Sequence, residues 1–560
     1  MSSPTAARVP AVELTGEAGA PSAVRTPGAS AEDAEDASPG SPHRKSVLRH
    51  ATCEMLVELR GIALQSCLNG GGQIWDSSAG DLRYRGRAKV CRRLDYFVSH
   101  DWGTSRWVKL LTLAVDFNGT PAFCTSLAVS VVVFALQVQG VLVQRMPPQV
   151  RTTAGVEFEE ASGVWCFPAG CCTFFFVLLY WQVFRERVLS PICVFVDKAC
   201  INQVDPEEKR RGVYSIGGFL QKSDRLLMLC TSRYFSRMWC AFEVAAWLQY
   251  KDVGSIIFLP PSETLFTSVF FSIVLLTHAG VYVGTQFPGV PVVPCALVVL
   301  FVFPLPLVHS ARLAMRALMS MPEELRVHDV TQTQCFCCSH QHVDPTTRAA
   351  LICDRELVYD AIDFWYGGGR PRRSYQEAVA ETSGPSPDVS VATGRVGTAR
   401  FNEDVQTKLS HALEIMVAKP ASYTSCLLAA APSLWRYLDQ VTAIVVDGPH
   451  DPYLILKRSV RIVIVSFLLW PLMRASVAAG ARRFWRRGAS RCGELGRTVV
   501  AFGIGYLPLV VSYVFAVTVA EPNEGMVFEA VLIFLLAVRL AFLVRPRGFV
   551  CRLCPGPGAT

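Results

Sequence analysis

Charge is scarce in this chain. Of its 560 residues only 18% are Asp, Glu, Lys or Arg, while 51% are hydrophobic, a balance shifted from ordinary soluble domains toward membrane proteins. The mean hydropathy of +0.31 agrees. A basic start followed by an apolar core is missing, so no cleavable leader is expected and insertion falls to an internal span. Residues 1–43 have almost no large apolar side chains; they bury too little surface to offset ordering entropy and are expected to be disordered. The twenty cysteines lack the spacing of a secreted disulfide framework, and reduced thiols facing a cytosol are expected. The runs Gly70-Gly71-Gly72 and Gly367-Gly368-Gly369 lack the strand–helix setting of a phosphate loop and read as turns.

The net charge of +8 is local, with clusters at Arg85–Arg93, Arg370–Arg373, Arg482–Arg497 and Arg545–Arg552. Most flank apolar runs, as cytoplasmic membrane borders do. The bilayer is therefore an expected partner, and nucleic acid is not.

What the chain has in place of charge is long apolar runs. A spanning helix needs about 20 such residues. Three pairs qualify: Pro121–Val143 with Val164–Phe184, Leu265–Gly284 with Val290–Val308, and Thr498–Ala520 with Met526–Val544. The loop inside the first pair carries Glu157, Glu159 and Glu160, and the basic clusters lie on the other side. Both termini are thus expected in the cytosol. Val460–Met473 is shorter, contains Trp470-Pro471 and leads into Arg482-Arg483-Phe484-Trp485-Arg486-Arg487. Full crossing would put that cluster outside, so a re-entrant or interfacial segment is preferred to a seventh crossing. Glu529 and Arg539 lie near opposite ends of the last span, and Arg539 can snorkel. They offer little for a channel or transporter, the third functional class considered. The sequon Asn118-Gly119-Thr120 falls on the cytosolic side and is expected to be unused.

Between these spans lies an α/β pattern. Tyr96–Val98, Ile192–Val196, Arg225–Cys230 and Ser255–Leu259 read as strands, with helical stretches after each of the first three. That alternation predicts a parallel sheet with its ligand edge at the strand carboxyl ends. The first and second strands are separated by the first membrane hairpin. Both fragments must therefore meet on one side of the bilayer. Ser99-His100-Asp101 is not a hydrolase triad, because adjacent residues point apart.

Further along, Tyr359–Trp365 and Asn402–Val417 read as helices, Thr382–Arg400 as a loop and Thr442–Val446 as a strand. The division is then a tail at 1–43, the first α/β part at 44–119, a membrane hairpin at 120–185 and the second α/β part at 186–262. A second hairpin at 263–308 precedes a cytosolic Cys/His-containing region at 309–458. A re-entrant or interfacial segment at 459–497, a third hairpin at 498–544 and a cytosolic tail at 545–560 complete it.

Tyr96-Phe97-Val98-Ser99, Asp197 after the second strand, and Ser232-Arg233-Tyr234-Phe235-Ser236-Arg237-Met238-Trp239-Cys240-Ala241-Phe242-Glu243 resemble the Toll/interleukin-receptor (TIR) domain family. In that family the third strand precedes Ser-x-x-Tyr-x-x-Ser-x-Trp-Cys-x-x-Glu. Asp197-Lys198-Ala199-Cys200-Ile201-Asn202-Gln203 is similar to a segment of fungal heterokaryon-incompatibility domains, a TIR-related family. With its spans, the chain resembles the multi-pass TIR-like proteins of single-celled algae such as dinoflagellates. The resemblance implies an α/β TIR/flavodoxin-like parallel sheet beside an α-helical membrane bundle. It also implies a signalling or docking role, with TIR-like domains of itself or other proteins as partners. The chain departs from the family in its interruption after the first helix and in meeting a span soon after Leu259. Either a later segment completes the sheet or the domain is abbreviated.

Some TIR domains cleave the nicotinamide–ribose bond of NAD. For them the resemblance implies Glu243 as the catalytic carboxylate, with Ser99, Asp101, Asp197 and Trp239 around the NAD pocket. The other reading has Glu243 in solvent or paired with Arg237, and Trp239 and Trp247 in the core of a non-catalytic adaptor. A separate feature is Cys335, Cys337, Cys338, His340 and His342, followed by Cys353. Four of these six side chains could surround zinc, although the spacing matches no common zinc fold. Buried thiols or acylated cysteines are the alternatives.

Overall fold

The computed structural model describes residues 57–76, 82–142, 149–153, 156–160, 163–286, 304–343, 348, 353–367, 396–418, 421–446, 465–485, 492–501, 503 and 544–545. The tail 1–43, most of Val290–Val308, most of the pair Thr498–Ala520 and Met526–Val544 with Glu529 and Arg539, most of Thr382–Arg400 and the cluster Arg370–Arg373 lie outside the described residues.

Six strands form one mixed sheet. They are β1 Arg60–Ala63, β2 Lys89–Val90, β3 Leu94–Ser99, β6 Cys193–Phe195, β7 Ser223–Leu229 and β8 Ile256–Leu259, while β4 Gln149–Thr153 and β5 Val156–Glu160 pair separately as an antiparallel hairpin. The order across the sheet is β2-β1-β6-β3-β7-β8. β6, β3, β7 and β8 run parallel, and β1 is antiparallel to both neighbours. These four parallel strands are those expected from the sequence. Their apolar runs are nearly continuous because a parallel sheet is covered on both faces. Phe97 of β3 stacks on Phe195 of β6 at 4.4 Å, and Phe195 meets Phe219 on the helix Ile216–Gln221 at 4.5 Å. Asp95 accepts the Cys193 backbone N–H at 2.7 Å, tying β6 to the central strand across the apolar helical insertion.

The helices used below are α1 Arg106–Val138, α2 Cys166–Val188, α3 Met238–Tyr250, α4 Pro261–Gln286, α5 Pro304–Arg326, α6 Asp354–Tyr366, α7 Val396–Asp404, α8 Ser410–Ala418, α9 Tyr423–Val446 and α10 Trp470–Arg483. Among the described residues, α1, α2 and residues 261–280 of α4 are long and apolar enough to cross a membrane. The helix expected at Arg106–Phe117 and the first span are one 33-residue helix, about 50 Å long at 1.5 Å per residue. Pro121 sits inside it without ending it. The sheet is therefore joined to the first apolar helix by the turn 100–105 alone.

The hairpin α1–α2 is locked by polar contacts. Asn118 is fully buried and donates to the Leu178 carbonyl at 2.8 Å, while Gln182 donates to Asn118 Oδ1 at 2.8 Å. The sequon side chain is thus consumed by packing. No later strand joins the sheet among the described residues; its added strands, β1 and β2, come from upstream instead. Later helices cover α3, where Trp365 of α6 lies 5.4 Å from Phe242 and the Tyr366 hydroxyl donates to the Ala245 carbonyl at 3.2 Å. The expected helix at Asn402–Val417 is found as α7, a π-turn at Val405–Leu409 and α8. Thr442–Val446 is not a strand. It forms the last turns of α9, whose packing against α1, α2 and α4 favours helix over the local β-branched preference.

Candidate functional site

The carboxyl ends of β3 and β6 bring together most of the residues singled out in the sequence. Ser99 ends β3, Asp101 follows two residues later, Asp197 opens the short helix after β6, and Glu243 lies in the second turn of α3. Ser99 is buried, and its hydroxyl donates to Glu243 Oε2 while sharing a second short hydrogen bond with the buried Tyr234 hydroxyl. Tyr234 can donate to Ser99 and Ser99 to Glu243, giving a three-member relay.

Glu243 is only partly exposed. Burial pushes its carboxyl up to about 8, with the Ser99 hydrogen bond opposing and Asp197 reinforcing the shift. It therefore holds a proton at neutral pH. Burial also raises Asp197, although the Trp102 indole N–H at 3.0 Å and its neighbouring backbone N–H at 2.7 Å favour the ionised form. Asp101 is buried and faces Arg237 Nε at 3.7 Å and Arg233 Nε at 3.9 Å, while accepting the Gly103 N–H at 3.1 Å. Arg237 thus faces Asp101; the contacts of Glu243 are with Ser99. Trp239 packs edge-on against Phe242 at 5.3 Å, partly buried, and Trp247 lies in the core. His100 stands edge-on between Trp75 at 5.1 Å and Trp102 at 4.6 Å, so Ser99, His100 and Asp101 do point into different surroundings.

Three partners in this site were not singled out by sequence reasoning: Tyr234, Trp102 and Arg233. Tyr234 and Arg233 stood inside the signature stretch, but only the tertiary turn Tyr234–Ser236 aims Tyr234 at Ser99.

The second cluster is tied to the start of α3 by backbone hydrogen bonds. Gln334, just before Cys335, accepts the Met238 N–H at 3.1 Å and donates to the Ser236 carbonyl at 2.7 Å. The chain then turns through Phe336–Ser339 and doubles back at Gln341 and His342, whose φ angles are +53° and +59°. That reversal brings one ligand atom each of Cys337, Cys338, His342 and Cys353 within 4.8 Å of one another. Two thiolates on a tetrahedral zinc with bonds near 2.3 Å stand about 3.8 Å apart. Here Cys338 Sγ is 3.7 Å from Cys353 Sγ, 4.0 Å from Cys337 Sγ and 3.8 Å from His342 Nε2. The donor set and spacing fit a metal such as zinc.

Cys335 and His340, also candidates in the sequence, are outside this group of four. Cys335 Sγ lies 2.9 Å from Cys337 Sγ on its buried side, and His340 Nδ1 is 2.9 Å from the Phe336 carbonyl with its ring against Phe336. Burial pushes the Cys338 thiol up, but hydrogen bonds with Cys353, Arg355 and Cys337 and the charge of Arg355 outweigh it, leaving that thiol below its ordinary value.

No protein-family model, curated protein or solved structure matches the chain.

Proposed function

We propose that this multi-pass membrane protein presents a cytosolic TIR-like α/β module as a docking surface for TIR-like domains of itself or of other proteins. The observation that carries this reading is the closed sheet edge: Glu243 is engaged by Ser99, and Asp101 by two arginines. A carboxyl that is neutral near pH 7 is poorly suited to stabilising a developing positive charge at ribose. The order β6-β3-β7-β8 of the parallel strands is the flavodoxin-like second-first-third-fourth pattern, which supports the TIR-like assignment. Trp107, in the first turn of α1, is 57% exposed with the Arg106 guanidinium 4.8 Å over its ring. An exposed Trp is a residue type that anchors docking surfaces.

The test uses full-length protein in lipid nanodiscs. NAD consumption should be no higher than that of Glu243→Ala, and capture of a differently tagged copy, or of an isolated TIR domain, should fall in Trp107→Ala. NAD cleavage that disappears in Glu243→Ala would replace docking with the alternative, a membrane-tethered NAD nucleosidase. One observation favours that alternative: buried acids with strongly shifted pKa, as at Glu243, are over-represented in active sites.

The Cys/His turn supports a narrower reading. Zinc held by Cys337, Cys338, His342 and Cys353 would have four protein ligands and no open position, the pattern of a structural site rather than a catalytic one.

A further inference from the structure

We infer that α9 crosses the bilayer beside α1, α2 and α4, so that the chain emerges on the far side after Val446 and returns before Arg474. This rests on the proposed membrane placement of α1 and α2.

The contacts of α9 can be read from one end to the other. Near its start, Leu428 fills the notch at Gly119 of α1, where an added Cβ would lie 2.6 Å from Leu428 Cδ1. Cys426 Sγ lies 3.6 Å from Arg474, whose guanidinium also reaches Thr267 at 2.7 Å and Glu263 at 3.6 Å. Glu263 and Thr267 occupy the first turns of α4, directly after β8, which marks this end as the sheet side. In the middle, Trp435 covers Gly170 of α2 and meets Phe174 at 5.6 Å and Phe271 at 6.4 Å.

Toward its other end, Asp439 accepts the Cys166 and Phe167 N–H groups at 2.8 and 2.9 Å, the first two of α2. Gln137, at the far end of α1, donates to Asp439 at 3.3 Å and to Thr442 at 3.4 Å, and accepts the Val164 N–H at 3.0 Å. From Gly119 to Gln137 is about 27 Å along α1 at 1.5 Å per residue, close to the roughly 30 Å of a hydrocarbon core. α9 covers that depth, parallel to α1.

Composition hides this span because Arg436 and Asp439 lower its hydropathy. Both are buried in the bundle. Asp439 sits on the positive end of α2, where a helix N-terminus favours an anion, and Arg436 lies 5.8 Å over the Tyr282 ring. Inward-facing charges with partners inside the bundle are the kind a spanning helix tolerates.

The crossing also resolves the short run Val460–Met473. With one more crossing upstream, a full return before Arg474 leaves Arg482 and Arg483 on the cytosolic side. Arg482 is held there by Glu263 at 2.8 Å.

Epitope tags placed singly in the full-length protein, at the N-terminus, between Pro147 and Pro148, and between His450 and Asp451, test this in sealed microsomes. The N-terminal tag should bind antibody without permeabilisation, and the other two only after it. A tag at His450 that is accessible from the start, with the Pro147 tag protected, would overturn the crossing of α9. Were the Pro147 tag itself accessible, the membrane placement of α1 and α2 would fail, and the inference with it.

Discussion

The sheet edge and the Cys/His turn are linked by the backbone pairing of Gln334 with Ser236 and Met238, yet they treat polar side chains in opposite ways. At the sheet edge each acid meets a partner of its own: Ser99 for Glu243, Trp102 for Asp197, Arg233 and Arg237 for Asp101. At the turn, three thiols and an imidazole converge on one point and can satisfy one another only weakly, since sulfur is a poor donor and acceptor. In the first arrangement each acid is engaged without a ligand. The second gains most from a soft cation at its centre. A titratable cluster is therefore better judged by what its groups already bond than by how many there are.

Metal removal should produce the largest effect. Full-length protein purified without chelator should carry zinc. His342→Ala and Cys353→Ser should each lower its content or affinity by about tenfold or more, since each removes a first ligand. His340→Ala should leave zinc unchanged, because that side chain lies on Phe336. Equal loss in His340→Ala and His342→Ala, measured by metal analysis, would erase the distinction drawn between the two histidines.

The sheet edge predicts a pH effect of intermediate size. Glu243 is raised from 4.5 to about 8 in the folded chain. The folded state then binds the extra proton, so the associated stability is complete below about pH 4.5 and lost as pH rises through about 8. Asp197, also raised by burial, adds a slope of the same sign. Glu243→Gln should flatten the fall in melting temperature between pH 5 and pH 9, and at the alkaline end exceed wild type by about 2 kcal/mol. An unchanged slope would mean that Glu243 titrates as a solvated carboxyl and that the edge is open.

The parallel strands were legible because a sheet buried on both faces writes itself as continuous apolar runs, as in Arg225–Cys230. β1 and β2 were not, since Arg60–Ala63 and Lys89–Val90 are too short to stand out, and β1 depends on β6 for pairing and β2 on β1. Arg106–Phe117 and the run from Pro121 read as separate segments, whereas α1 continues through both. α9 was missed in the bundle because hydropathy counts Asp439 as a cost without knowing that it caps α2. In the candidate site, residue types were legible and pairings were not. The six possible ligands could be read in the chain, but the selection of His342 over His340 depends on left-handed backbone at Gln341 and His342, which no glycine announces.

The smallest expected effect comes from Tyr234→Phe, and it tests whether the sheet edge acts as a unit. The phenol is buried, so deleting its hydroxyl removes one hydrogen bond to Ser99 without opening a cavity. Ser99 keeps Glu243 as acceptor, and no buried donor is left unmatched, so the loss should be about 1 kcal/mol. Ser99→Ala should cost more, because it strips both Tyr234 and Glu243 of their shared partner. The double variant should then cost little beyond Ser99→Ala alone, since the Tyr234 hydroxyl has already lost its acceptor. Additive losses in thermal melts of the three variants would mean that the two hydrogen bonds are independent. The contrast with the Cys/His turn would then rest on Glu243 alone.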